Sequence, residues 1–130
     1  MIIKDDKDQL LAIILKPSEV KEKKFFATSN DNELQLASFQ LDAGEEIIRH
    51  YHPKQARNIS LTSEVIIVTQ GKIEVEIYDT ILELNSIHEI EKNEIIALFN
   101  GGHKIKMIEN SKFIEVKQGP YDPETDKKHF

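Results

Sequence analysis

The residues of this chain best suited to chemistry are two histidines one residue apart, His50 and His52. In an extended strand, side chains at positions i and i+2 point to the same side, so we expect both imidazoles to face the same way. Glu64 opens an apolar run, where a carboxylate packs poorly but serves well as a metal ligand. His103 follows two glycines and reaches the same point only if the sheet curls into a barrel.

Most of the chain between these residues shows the alternation of half-buried strands. Ile73, Val75 and Ile77 fall on one face of a run that ends near Asp79. We predict that residues 64–70 and 73–79 form a hairpin with its turn at Gly71. The first arm is apolar on both faces apart from Glu64, which indicates either a second layer or a partner subunit.

Further strands are expected along the whole chain. Residues 17–24 are highly charged and are interpreted as a short helix or a solvated connector, and His88 as an ordinary strand residue. The last strand, residues 113–117, can face inward in two ways. The favoured orientation turns Ile114 and Val116 inward, and the other turns Phe113, Glu115 and Lys117 inward. One further strand is predicted around His50 and His52, and the others lie at 10–15, 25–28, 34–41, 81–84, 87–90, 94–99 and 103–107.

Two motifs in this pattern resemble those of the cupins, a family of small β-barrels. Five residues separate Gly44 from His50, and six separate Glu64 from Gly71, as in the first cupin motif. The second motif is similar to the stretch from Asn93 to His103. The chain departs from the family in three ways. Residues 53–63 make a longer loop before Glu64, Asn93 replaces a glycine, and the turn before His103 lacks a proline and is one residue shorter.

The resemblance implies an all-β fold, a single cupin-type antiparallel β-barrel (a double-stranded β-helix or jelly roll) spanning residues 36–119. Residues 1–35 would then be an N-terminal extension packed on the barrel, and 120–130 a C-terminal tail. It also implies that His50, His52, Glu64 and His103 hold one divalent transition metal ion: Fe, Mn, Ni, Co, Cu or Zn. Imidazole and carboxylate suit these ions, and four protein ligands leave an octahedral ion two open positions.

Two classes of function stay open for such a site. The first is a metalloenzyme acting on a small polar molecule, sugar-like or a carboxylate: an oxygenase, an isomerase or epimerase, or a decarboxylase. Glu115 or Lys117 would move the proton, and Arg57 in the long loop would bind an anionic group through its planar fork. The second is a non-enzymatic small-molecule or carbohydrate-binding module or sensor, because a fold does not fix a function.

Composition narrows the choice of partners. The net charge of −6 argues against a nucleic-acid binder, which needs a basic surface. No apolar run approaches the ~20 residues that span a bilayer, and the N-terminus lacks the features of a signal peptide. With no cysteine, disulfides and thiolate metal sites are excluded. We therefore expect a cytoplasmic homodimer of one-domain chains that binds neither nucleic acid nor membranes.

Overall fold

The computed structural model describes residues 1–130 as an all-β chain in which one 3₁₀ turn, Pro17–Glu19, is the sole helical element. It contains no helix with the length and hydrophobicity needed to cross a membrane. The strands are β1 (Ile2–Lys4), β2 (Leu10–Leu15), β3 (Lys24–Phe26), β4 (Ala37–Phe39), β5 (Glu64–Gln70), β6 (Lys72–Tyr78), β7 (Leu84–Glu91), β8 (Ile95–Leu98), β9 (Gly102–Met107) and β10 (Lys112–Lys117).

The ten strands form three sheets, and every recorded pairing is antiparallel. A five-stranded sheet has the order β1-β2-β8-β5-β10, and a three-stranded sheet has the order β7-β6-β9. The remaining pair, β3-β4, makes a small sheet of its own. Strands β9 and β10 are therefore both edge strands, each with a neighbour on one side only.

The main core lies between the two larger sheets. Ile66 and Val68 of β5 and Ile73 and Val75 of β6 belong to one cluster of twelve buried residues, and all four are fully buried. The period-2 alternation of β6 produces this burial, since its glutamates point the other way. Burying each of these side chains contributes about 1.5–3 kcal/mol, so the cluster is the main source of stability.

A second, smaller core covers the outer face of the five-stranded sheet. Val65, Ala97 and Phe99 are buried there against Leu34 and Leu36, which precede β4. Strand β5 is thus apolar on both faces because the chain itself supplies a layer on each side. The observation that suggested a partner subunit is explained within one chain, and homodimerisation stays a prediction that needs other support.

The predicted hairpin across Gly71 is wrong. Strand β5 pairs with β8 and β10, whereas β6 pairs with β7 and β9, so the chain passes from one sheet to the other at this glycine. Gly71 has a φ of +74°, and a Cβ there would lie 2.5 Å from the carbonyl oxygen of Asn110. Because the chain changes sheets at Gly71, β5 and β6 each have two hydrogen-bonded neighbours. In an isolated two-stranded hairpin each would have only one.

The strand predicted around His50 and His52 is also absent. Residues 40–63, here called the histidine segment, contain no strand. A strand needs a neighbour for its N–H and C=O groups, and none is present, so Ile48 and Tyr51 are each 82% exposed. The segment is fixed near its end, where the Glu33 carboxylate accepts hydrogen bonds from Ser60 and from the Leu61 N–H.

Strand β10 takes the less favoured of its two predicted orientations. Its register pairs Glu115 with Ile66 and Lys117 with Glu64 on β5. Directly paired residues point to the same face, so Glu115 and Lys117 share the face that Ile66 turns to the core. Because β10 is an edge strand, Ile114 and Val116 on its other face can remain about half exposed, at 53% and 52%.

Candidate functional site

Glu64 and His103 meet at one end of the gap between the two larger sheets. Glu64 is the first residue of β5, on the same face as Ile66, and His103 is the second residue of β9, on the same face as Ile105. The Nε2 of His103 lies 3.2 Å from Oε2 of Glu64. These two residues were expected to converge, and in the structure they are in contact.

The environment of Glu64 favours its charged form. The hydrogen bond from His103 lowers the pKa of the Glu64 carboxyl, and burial opposes this shift. The Glu64 side chain is 17% exposed and that of His103 is 33% exposed, so solvent reaches the pair from the histidine side. Glu64 is therefore an anion at neutral pH and is available to bind a cation.

Lys117 brings a positive charge to the same end. It is the register partner of Glu64 on β10, and its ammonium group forms an ion pair with Asp126. The hydrogen bond to Asp126 raises the pKa of Lys117, with smaller contributions from Glu64 and Glu115. The ammonium also lies 4.7 Å from the centre of the Tyr121 ring. We call Glu64, His103, Lys117 and Asp126 together the charged end.

Sequence reasoning missed Asp126. It lies in the C-terminal tail, where its carboxylate looks no different from those of Asp122 and Glu124. Only the fold distinguishes it, since the Asp126 side chain is 8% exposed. No local pattern in the sequence signals that one of the acids in this tail is buried.

The tail has a second attachment on the other sheet. The Phe130 ring packs edge-to-face on Tyr78, with ring centroids 5.0 Å apart, and covers Gly102. A Cβ on Gly102 would lie 2.6 Å from the Phe130 ring, so the missing side chain leaves room for this contact. Residues 120–130 thus run from β10 of one sheet to β6 and β9 of the other, across the charged end.

His50 and His52 do not join the charged end. Both are exposed in the histidine segment, with their rings edge-to-face and their centroids 5.1 Å apart. The Nδ1 of His50 lies 2.9 Å from the Ile48 carbonyl oxygen, a local contact. In this structure no three side chains of His, Asp or Glu form a group that could hold a metal ion. The four predicted ligands are therefore arranged as two separate pairs.

The remaining predicted site residues are more exposed. Arg57 is exposed in the histidine segment, and none of its contacts is an ion pair or a hydrogen bond that would fix its guanidinium over a pocket. Glu115 is exposed on β10, on the same face as Lys117 but one step further from the charged end. Their proposed roles in anion binding and proton transfer stay predictions.

His88 lies in strand β7, as expected. It pairs with Val75 across β6 and β7 and so faces the core. It also lines a cavity of about 380 Å³ between β7 and the N-terminal strands. Its Nε2 is buried without a hydrogen-bond partner, and burial lowers the pKa of the imidazole. His88 is thus a partly buried side chain whose neutral form is favoured.

Comparison with known proteins gives no relative from which a function could be transferred: no family model, curated protein or solved structure matches the chain.

Proposed function

We propose that the protein is a metal-binding protein of the cupin type, a metalloenzyme acting on a small polar molecule at the charged end. The observation that carries the proposal is the contact between Glu64 and His103. These residues come from different sheets, yet a carboxylate oxygen and an imidazole nitrogen lie 3.2 Å apart. Both are donor types that divalent transition metals bind.

The residues fit a metal ion only in part, since Glu64 and His103 are in contact but His50 and His52 lie apart from them. His50 and His52 would complete the set if the histidine segment added to the free edge of β9 as a further strand. Strand β9 has an open edge, and the exposed run at Ile47 and Ile48 has the β-branched residues that favour pairing. An ion held by these four ligands would act as a Lewis acid toward a bound oxygen atom of the substrate.

Lys117 would hold the proton in this site. Its ammonium group is kept charged by Asp126, so at neutral pH it can bind an anionic group but neither serves as a base nor gives up its proton readily. Glu64 is an anion beside the partly exposed His103 imidazole, and its lowered pKa makes it a cation ligand rather than a strong base. The chain thus offers a positive and a negative group on adjacent strands, β10 and β5.

A non-enzymatic small-molecule-binding module is the second candidate. It is favoured by the separation of the two ligand pairs, because Lys117, Asp126, Glu64 and His103 make a polar site that needs no metal. Turnover distinguishes the candidates: a screen of sugar-like and carboxylate compounds with the metal-loaded protein should give product for an enzyme and only binding for a sensor.

The metal is tested by elemental analysis of protein expressed in medium supplemented with first-row transition metals. We expect about one ion per chain. Glu64→Ala and His103→Ala should each lose most of it, and the double variant His50→Ala/His52→Ala should lose it as well, since half of the ligands are then missing.

His129→Ala, which removes an exposed histidine of the tail, is the matched control and should keep the ion. Wild-type protein without bound metal after supplementation would refute the metal and the metalloenzyme together. Retention of the ion by His50→Ala/His52→Ala, with loss in His103→Ala, would show that the histidine segment takes no part in the site.

A further inference from the structure

The C-terminal tail places a single carboxylate inside the molecule. Of residues 118–130, all are exposed except Asp126, whose side chain is 8% exposed. That carboxylate forms an ion pair with Lys117, the only ammonium group at the charged end. The tail therefore behaves like a tethered ligand, of which one functional group occupies the site.

We propose that a small carboxylate molecule binds the Lys117 ammonium group in place of Asp126, and that the tail is displaced when it binds. The Asp126 side chain is itself an alkyl carboxylate, so its position defines the chemistry that the site accepts. Lys117 is a compact charge with three rotatable donors, and it can turn from one carboxylate to another without a change in the strand that carries it.

The weak attachment of the tail makes displacement feasible. Tyr121 and Phe130, its two aromatic residues, are 61% and 64% exposed, so little apolar surface holds the tail in place. Segments with few buried apolar contacts open at low free energy. The ion pair with Lys117 is the main polar contact of the tail with the strands, and a competing carboxylate replaces that contact directly.

The Lys117 ammonium group can pair with an incoming anion only when Asp126 leaves. With Asp126 in place, Lys117 faces two carboxylates, because Glu64 is its register partner. Removing the Asp126 carboxylate leaves one positive and one negative group, with the His103 imidazole beside them. An incoming carboxylate then takes the place of Asp126 in the ion pair with Lys117 and restores the original net charge. The ligand is therefore expected to belong to the same chemical class as the group it replaces.

The inference names the ligand class of the proposed site, and so it rests on the proposed function for the location. Its test uses metal-free protein, prepared on a chelating resin because soluble chelators are themselves polycarboxylates. Succinate is titrated into isotope-labelled protein and followed by two-dimensional amide NMR. We expect Asp126→Asn to bind succinate about tenfold more tightly than the wild type, since it removes the internal competitor.

The Lys117→Met/Asp126→Asn double variant removes both charges and leaves no unpaired one, and it should lose detectable binding. Glu124→Gln makes the same charge change as Asp126→Asn at an exposed position of the same tail, and its affinity should equal that of the wild type. In the wild type, the amide signals of Tyr121 and Phe130 should move, as succinate is added, toward their positions in Asp126→Asn.

Equal affinities of Asp126→Asn and Glu124→Gln would overturn the inference, as would succinate binding by the double variant or tail signals that do not move at saturation. None of these results depends on metal content. A negative result in the succinate titration therefore leaves the metal proposal standing. Likewise, a wild-type protein found to contain no metal leaves the proposal of carboxylate binding standing.

Discussion

The charged end and the histidine segment contain the same kinds of side chain in very different arrangements. Glu64 and His103 are far apart in sequence, but strands from two sheets hold them 3.2 Å apart. His50 and His52 are neighbours in sequence and reach each other, with ring centroids 5.1 Å apart, but they reach no third donor.

The difference shows what a paired strand contributes to a site. Every residue of β9 and β10, and every residue of β5 except Thr69, has a fixed partner, so its side chain has one direction and one set of neighbours. In the histidine segment no register exists, and side chains are positioned only relative to residues close in sequence. Convergence of distant residues therefore requires strands that pair, and the predictions below test this contrast.

The largest effect is expected from shortening one isoleucine in each region. Ile66 of β5 is fully buried in the main core, whereas Ile48 of the histidine segment is 82% exposed. Ile66→Ala should lower the free energy of unfolding by about 4 kcal/mol, because a buried side chain is lost and a cavity remains. Ile48→Ala should change it by less than about 0.5 kcal/mol. Urea denaturation measures both.

An effect of Ile48→Ala above about 1 kcal/mol would mean that the side chain is buried in solution and that the histidine segment is paired with a strand, as the metal proposal requires. The same result would therefore weaken the contrast drawn here and strengthen the proposal that the segment docks on β9.

A smaller difference is expected between two glycines with positive φ. Gly101 precedes β9 with a φ of +73°, and a Cβ there would lie 2.1 Å from the Tyr78 carbonyl oxygen. Gly44 has a φ of +91° and nothing within 4 Å. Gly44→Ala should destabilise the protein by about 1 kcal/mol through backbone strain alone. Gly101→Ala should cost about 3 kcal/mol, since strain and a backbone clash add.

Thermal or urea unfolding of the two alanine variants, compared at one pH, gives the result. Equal destabilisation would show that β9 shifts to admit the Cβ and that its position is less fixed than the register indicates. The amide NMR signal of His103 reports such a shift directly.

The smallest effect concerns two histidines and pH. Burial lowers the pKa of His88 below its usual value of 6.5. The unfolded chain then binds a proton that the folded chain does not, so stability should fall as the pH drops through about 6.5 and level off below the lowered folded pKa. His88→Leu should be at least as stable as the wild type at pH 7.5, since Nε2 has no partner to lose, and should lack this part of the decline.

His50→Leu is the control, because the His50 ring is exposed and lies outside the strands. Urea denaturation of both variants and the wild type between pH 8 and 5.5 keeps the carboxylates ionised. A wild-type decline that persists in His88→Leu would assign the pH dependence to another histidine.

Much of the strand pattern could be predicted from local sequence. The alternation at Ile73, Val75 and Ile77 gave the right inward face of β6, and the apolar run from Leu10 is strand β2. Alternation reports burial on one face, so it finds strands that have such a face. It says nothing of which strand lies alongside, and for that reason the hairpin at Gly71 and the strand at His50 were predicted wrongly.

The sequence by itself determined the all-β character of the chain and the inward face of β6. It also indicated Glu64 and His103 as candidate members of one site. The tertiary structure decided that β5 and β6 belong to different sheets, that Lys117 rather than Val116 faces the core, and that Asp126 is buried. These depend on contacts between residues distant along the chain. Side-chain periodicity is set by backbone geometry within a few residues, whereas sheet order, strand orientation at an edge and the path of a tail follow from the energy of packing the whole chain.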